Sequence, residues 1–290
     1  MTNQSPDKFD LAVCCRVYPG VSRNPIFGFK DKLALTRLNL ETFKESLGDL
    51  KIKLWVLLDN CPPAYAELLR EIFPTTQLEL IPLGGVGNGA TFIRQVDILS
   101  AQTDAELVYF AEDDYLYLPR SIERTVAFMR RHPEADFVTA YDHADFHSKY
   151  VHQFRGPEIS EDGCRWRMVA STCLTFMARR EALAESAPVF KTYVKNSDLG
   201  IWMALTKKRV RNPWSWIRSL GDGLYFPASH ALAWRYAWRQ ILFGRRLTLW
   251  SPTPGLITHM EEAGLAPGVD WKGIFGERAK ALQNVNPAKP

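Results

Sequence analysis

The chain is poor in three things, and each absence excludes a class. It has only five cysteines, Cys14, Cys15, Cys61, Cys164 and Cys173. That odd set has no CxxC spacing, which argues against a disulfide framework and a structural zinc site and leaves reduced packing residues. No apolar run approaches the roughly 18 residues of a membrane-spanning helix. The opening MTNQSPDKFD lacks a charged segment followed by an apolar core, so a cytoplasmic protein is expected. Charge of one sign is also scarce: 36 Lys and Arg stand against 32 Asp and Glu. Nucleic acid is therefore not expected as a partner, and any electrostatic function must be local. Internal repeats and low-complexity tracts are missing apart from a polar tail, NVNPAKP, expected to fray.

What is present is alternation. DLAVCCRV reads as a buried strand, and the turn-rich YPGVSRNPIFGF after it reads as a loop. Residues 31–47 carry Leu35, Leu38, Phe43 and Leu47 at near-helical spacing, with Gly48 as a stop. Then IKLWVLL, QLELIPL, ELVYFA and DFVTAY read as strands, separated by the helical stretches PPAYAELLREIF, GATFIRQVDILSAQ and PRSIERTVAFMRRH. Strands written as continuous apolar runs between helices predict an α/β fold with a doubly wound, mostly parallel sheet. Later, VASTCLTFMARREAL reads as a strand entering a helix, and SDLGIWMALTKK as a short helix capped by Ser197. The last third, dense in tryptophan and arginine, gives no regular pattern. At 290 residues the chain fits one large unit or two small ones, and a single unit is expected.

One stretch demands explanation. YFAEDDYLYLP places Glu112, Asp113 and Asp114 directly after an apolar strand, and adjacent carboxylates repel unless water or a cation screens them. A solvated turn and a metal site both satisfy that requirement. In a doubly wound sheet, ligands bind beyond the carboxyl ends of the strands, where Asp59, the loop 84–89 and Glu112 to Asp114 would all emerge.

In order and spacing these residues resemble the nucleotide-sugar glycosyltransferases of the GT-A fold, particularly the family 2 group. Matching features are Asp59 ending KLWVLLDN, Asn88 and Arg94 in GGVGNGATFIRQ, the DXD-like Glu-Asp-Asp, STCLTFMARREAL, and the acidic position of NSDLGIW. The resemblance implies a nucleotide-sugar-binding half, residues 1–140, and an acceptor-binding and catalytic half, 141–290, of the same domain. It implies Asp198 as the general base of an inverting transfer, and donor contacts from Asp59, Arg94, Glu112, Asp113 and Arg16. It also implies a Mn2+ or Mg2+ ion on Asp114, with His259 as a late ligand, a UDP-sugar donor as the commonest choice, and a glycan or lipid-linked acceptor. The DXD-like motif departs from the family in starting with glutamate, and NSDLGIW departs in carrying Ser197 where a glutamate is usual. Which of Glu112 and Asp113 approaches the ribose stays open.

Each assignment has a plainer alternative. Asp59 could cap the next turn, Arg94 could be a solvated helix residue, and His259 an ordinary hydrogen-bonded histidine. Asp198 could simply oppose a helix dipole. His143, His147 and His152 lie among strand-like aromatics and are expected at surface or acceptor-side positions. GGVGNG is not a dinucleotide fingerprint, its glycines being spaced GGxGxG. A sugar nucleotidyltransferase is the first alternative function, but after strand one the chain has RVYPGVSRNP instead of a glycine-rich signature, with only Arg23 and Lys30 as loop cations. The second alternative is a non-catalytic carbohydrate-binding protein whose tryptophans stack on sugars. Finally WRYAWRQILFGRR, residues 234–246, is either a core helix with a basic edge or a peripheral membrane contact that brings the site to a lipid-linked acceptor.

Overall fold

The computed structural model describes residues 9–21 and 24–285; Arg23, residues 1–8 and most of the NVNPAKP tail lie outside them. Strand β1 (Leu11–Val17) is buried at every position and runs beside β2 (Ile52–Asp59) and β4 (Leu107–Glu112). Helix α1 (Lys32–Ser46) follows β1, opened by Asp31, whose side chain accepts the Ala34 N–H, and ended at Gly48, φ +55°. Glycine, lacking a Cβ, takes that φ at no steric cost. Helix α2 (Pro63–Ile72), strand β3 (Leu78–Leu83) and helix α3 (Gly87–Ala101) continue the alternation. A short β5 (Tyr115–Tyr117) follows the carboxylates, and then come α4 (Ser121–Arg131) and β6 (Phe137–Val138).

The second half adds α5 (Asp145–Ser148), a hairpin of β7 (Glu158–Glu161) and β8 (Cys164–Met168), β9 (Phe176–Arg179) and α6 (Arg180–Phe190). Helix α7 (Asp198–Thr206) starts at Ser197, whose hydroxyl accepts the Gly200 N–H as a cap. It is buried from Leu199 to Thr206, as befits a helix that is apolar all round. Helices α8 (Pro213–Ser219) and α9 (Tyr225–Phe243), strands β10 (Leu249–Thr253) and β11 (Ile257–His259), and α10 (Trp271–Val285) complete the described chain.

Among the described residues nine strands form one sheet in the order β3-β2-β1-β4-β9-β6-β10-β8-β7. Only β9 and β8 run against the rest, so the sheet is mixed in its pairings and mostly parallel in direction. One apolar cluster packs beneath α1, α2 and α4 and another beneath α3, α6, α7 and α9. This is the doubly wound α/β class the sequence predicts, with strands from both halves in the same sheet. Two local readings differ. DFVTAY contributes only the two-residue β6, and the aromatic stretch 141–154 forms α5 and a 3-10 turn at Tyr150–His152. Phe146, Val151 and His152 are buried there, so packing under the sheet edge overrides the strand-like pattern.

A separate pair, β5 with β11, is antiparallel and sets His259 opposite Tyr115. The Met260 N–H donates to the Asp114 carbonyl at 2.7 Å. The chain thus returns from beyond residue 250 to close over the carboxylates.

Candidate functional site

The carboxyl ends of β1, β2 and β4 open into a cavity of about 690 Å³ lined by Arg16, Lys32, Asp59, Asn88 and Glu112 to Asp114, among others. That volume suits a nucleotide-sized ligand. A second cavity of about 390 Å³ is lined by Tyr193, Asp198, His143, His259 and, again, Asn88 and Glu112. The two meet at those shared residues. A narrow recess of about 70 Å³ beside Asp198 reaches His152, Tyr225 and Phe226.

The three consecutive carboxylates each have their own cation. Arg16, from β1, pairs with Glu112 and also donates to the carbonyl and side-chain oxygens of Asn88. Thr175 adds a hydroxyl donor to Glu112 at 2.7 Å. Asp113, 6% exposed, receives Lys32 at 2.9 Å and longer contacts from the Tyr18 N–H and the Thr36 hydroxyl, both 3.3 Å. Burial pushes the Asp113 carboxyl up, and Lys32 opposes that rise. Asp114 lies 3.1 Å from the His259 imidazole. Burial alone would raise Asp114, but the charge and hydrogen bond of His259 hold it below the usual 3.8. Burial would depress His259, yet Asp114 lifts it from 6.5 to about 9. The repulsion among adjacent carboxylates is therefore relieved by protein cations from β1, α1 and β11.

Asp59 is 4% exposed, and its two oxygens accept the N–H groups of Val86 and Gly87 at 2.8 and 2.9 Å. It holds the loop that enters α3, where Gly85 and Gly87 take φ +78° and +82°, while still lining the cavity. Arg94 is exposed on α3 and lines neither cavity. The guanidinium that lines the larger cavity belongs to Arg16, 7% exposed.

Asp198, the first residue of α7, faces the second cavity. Its carboxylate accepts its own helix's Leu199 N–H at 2.7 Å and the Tyr225 hydroxyl at 2.5 Å. Burial and the Asp198 charge push the Tyr225 phenol well above its usual range, so it stays a donor. Burial holds His143 below 6.5 despite the neighbouring carboxylates of Asp145 and Asp198. The histidines expected on the acceptor side separate: His143 lines the cavity, His152 is buried with its pKa pushed down to about 3, and His147 pairs with Asp142.

Sequence reasoning missed Lys32, Thr175, Tyr193 and Tyr225. Lys32 carried a signal, a cation at the start of the first helix after the strand-one loop. The others become visible only through contacts distant in sequence.

Asp114 has the features by which a divalent cation would be held. Its Oδ1 is buried without a hydrogen-bond partner, and the neighbouring imidazole would become a nitrogen donor only once a metal displaced its proton. Oxygen and imidazole donors suit Mg2+ or Mn2+. Among the described residues no cage of three or more acidic, histidine or cysteine side chains exists. Substrate oxygens and water would have to complete the shell, as is usual for magnesium.

No protein-family model and no curated protein matches the sequence. Solved structures with some likeness include S. aureus TarS, at 15% identity and TM-score 0.41 over 67% of this chain and 32% of that one. Residues 1–349 of S. aureus TarS, in complex with UDP, align at 14% identity and TM-score 0.42 over 67% and 54%. A197 from STIV aligns at 9% identity and TM-score 0.34 over 88% and 90%. This chain thus spans between about a third and a half of the TarS structures. Likeness at this level identifies neither substrate nor reaction, and the functional reading rests on the site itself.

Proposed function

We propose that this chain is an inverting glycosyltransferase that moves a sugar from a nucleotide diphosphate, UDP being the default, to a hydroxyl acceptor. The observation that carries the reading is the junction of two cavities at Glu112 and Asn88, with cations on the first and Asp198 on the wall of the second. The larger cavity has the size for a nucleotide and Arg16 and Lys32 for a diphosphate. Both cations are fixed by their carboxylate partners before a donor arrives, so little reorganisation is needed when charge develops on the leaving group.

A bound Mg2+ or Mn2+ on Asp114 and His259 would supply Lewis-acid stabilisation of that leaving group. The rest falls to side chains. Asp198 takes the proton of the acceptor hydroxyl, which approaches from the second cavity while the diphosphate departs into the first. Attack opposite the leaving group inverts the anomeric centre. Tyr225 and the Leu199 N–H keep one oxygen of Asp198 in place and leave the other for the acceptor, the fixed positioning a general base needs.

The test is Asp198→Asn, which keeps size and hydrogen bonding but removes the proton acceptor. Nucleotide diphosphate affinity by calorimetry should be unchanged, while transfer, followed as released nucleoside diphosphate, falls about 100- to 10,000-fold. Near-normal turnover would remove Asp198 as base, and release of pyrophosphate would indicate a nucleotidyltransferase.

A further inference from the structure

We propose that the outer face of α8 and α9 docks on an anionic lipid bilayer and holds the acceptor cavity against it, so that a lipid-linked hydroxyl reaches Asp198. Only the clause about the acceptor rests on the transferase reading.

Large apolar side chains are exposed along this one segment: Trp214 at 67%, Ile217 at 58%, Leu220 at 53%, Leu224 and Phe243 each at 79%. On α9 the exposed positions follow a helical period across a kink at Ala237, and among them Trp238 and Leu242 are large and apolar. Ala228, Ala231, Arg235, Trp238 and Leu242 recur on the exposed side, starting one turn after Leu224. Phe226, His230, Ala233, Ala237 and Ile241 face the core. Residues 234–246, which the sequence leaves as either a core helix with a basic edge or a membrane contact, are partly core: Trp234 donates its indole N–H to the Val210 carbonyl and Ile241 is fully buried. The exposed surface starts earlier, at α8, which packs on α9.

Charge selects the occupant. Residues 207–246 contain nine lysines and arginines and a single acidic residue, Asp222. Asp222 is occupied by the Tyr150 N–H at 2.7 Å. Six of the nine, Arg211, Arg218, Arg235, Arg239, Arg245 and Arg246, are exposed, and of these only Arg245 has a carboxylate partner among the described residues. Two copies meeting through this face would oppose like charges. A diffuse anionic surface neutralises them, while tryptophan and arginine stems enter the interface. Among the described residues no helix is long and apolar enough to cross a membrane, so contact would be interfacial. The first residue of α9, Tyr225, is the one that holds Asp198, which places the bilayer beside the acceptor cavity.

The experiment is co-sedimentation with vesicles of phosphatidylcholine containing a quarter phosphatidylglycerol, at low salt, against phosphatidylcholine alone. Wild type should bind the anionic vesicles selectively. An arginine near such a surface contributes roughly fivefold to partitioning, so Arg235→Gln with Arg239→Gln should weaken binding about 25-fold. Leu224→Glu with Phe243→Glu should abolish it, with thermal melts confirming that both variants fold. Absence of binding by wild type, or undiminished binding by both variants, overturns the proposal. So does a dimer in sedimentation velocity that the Leu224→Glu, Phe243→Glu variant dissolves, if vesicles are not bound. Nucleotide diphosphate affinity measured without vesicles should stay unchanged in both variants, which separates failure of docking from failure of the transferase reading.

Discussion

Replacing His259 by glutamine removes the cation from Asp114 while keeping a hydrogen-bonding side chain of similar reach. The imidazole is lifted from 6.5 to about 9, and at about 1.36 kcal/mol per pH unit that rise corresponds to an upper bound of about 3 kcal/mol. The Asp114 side chain keeps 35% of its surface accessible, so solvent screening reduces the expected contribution to about 1–2 kcal/mol. A group whose folded pKa is raised stabilises fully below its unfolded value and loses that contribution as pH climbs through the folded one. The His259 contribution should therefore be complete near pH 6 and gone by about pH 9.5. Asp114, held below 3.8, has the opposite sign: its contribution stands above the unfolded value and disappears as pH falls through the folded one. The assay is urea denaturation with EDTA present, for wild type and His259→Gln at intervals from pH 5.5 to 10. Lys208, pushed down to about 8 by burial, also titrates in this window but cancels in the difference between the two proteins. The difference should shrink by about 1–2 kcal/mol between pH 6 and 9.5. A pH-independent difference would refute the ion pair.

Two further outcomes follow from the same carboxylates. Asp114→Ala should abolish the Mn2+-dependent part of nucleotide diphosphate affinity in calorimetry while the melting curve stays cooperative, and an unchanged metal response would place the cation elsewhere. Arg16→Met leaves Glu112 without its cation and Asn88 without its donor, at a cost of about 3 kcal/mol in urea denaturation. Arg16→Met with Glu112→Gln should recover part of that loss, and strict additivity of the two substitutions would mean the pair is not coupled.

How much of this was legible depends on how local the cause is. β1, β2 and β4 were readable because each is a continuous apolar run with both sheet faces covered. α1 was readable through Gly48, and α7 through Ser197, because turn and cap chemistry acts within a few residues. The pairing of β5 with β11 was not readable, since it joins segments about 140 residues apart, and neither short strand has a pattern of its own. The same limit hid the partners of the acidic run. Nothing near Glu112 announces Arg16, nothing near Asp113 announces Lys32, and His259 was named as a metal ligand, not as a partner for Asp114.

That distribution bears on what the three carboxylates can do. Parallel strands bring their carboxyl ends to one edge, so β1 carries Arg16 to the residue that ends β4, and α1 starts close enough for Lys32 to reach Asp113. Glu112 and Asp113 are consequently committed: each is held by a salt bridge and at least one hydroxyl group. Asp114 is held from one side only, by a residue of the closing strand, and keeps Oδ1 unpaired. An unpaired buried carboxylate oxygen costs stability unless something binds it. Of the three acidic residues, Asp114 is thus the one with both spare coordination capacity and a reason for a ligand to arrive. Glu112 and Asp113 instead fix the two cations that, in the proposed transfer, would meet the diphosphate.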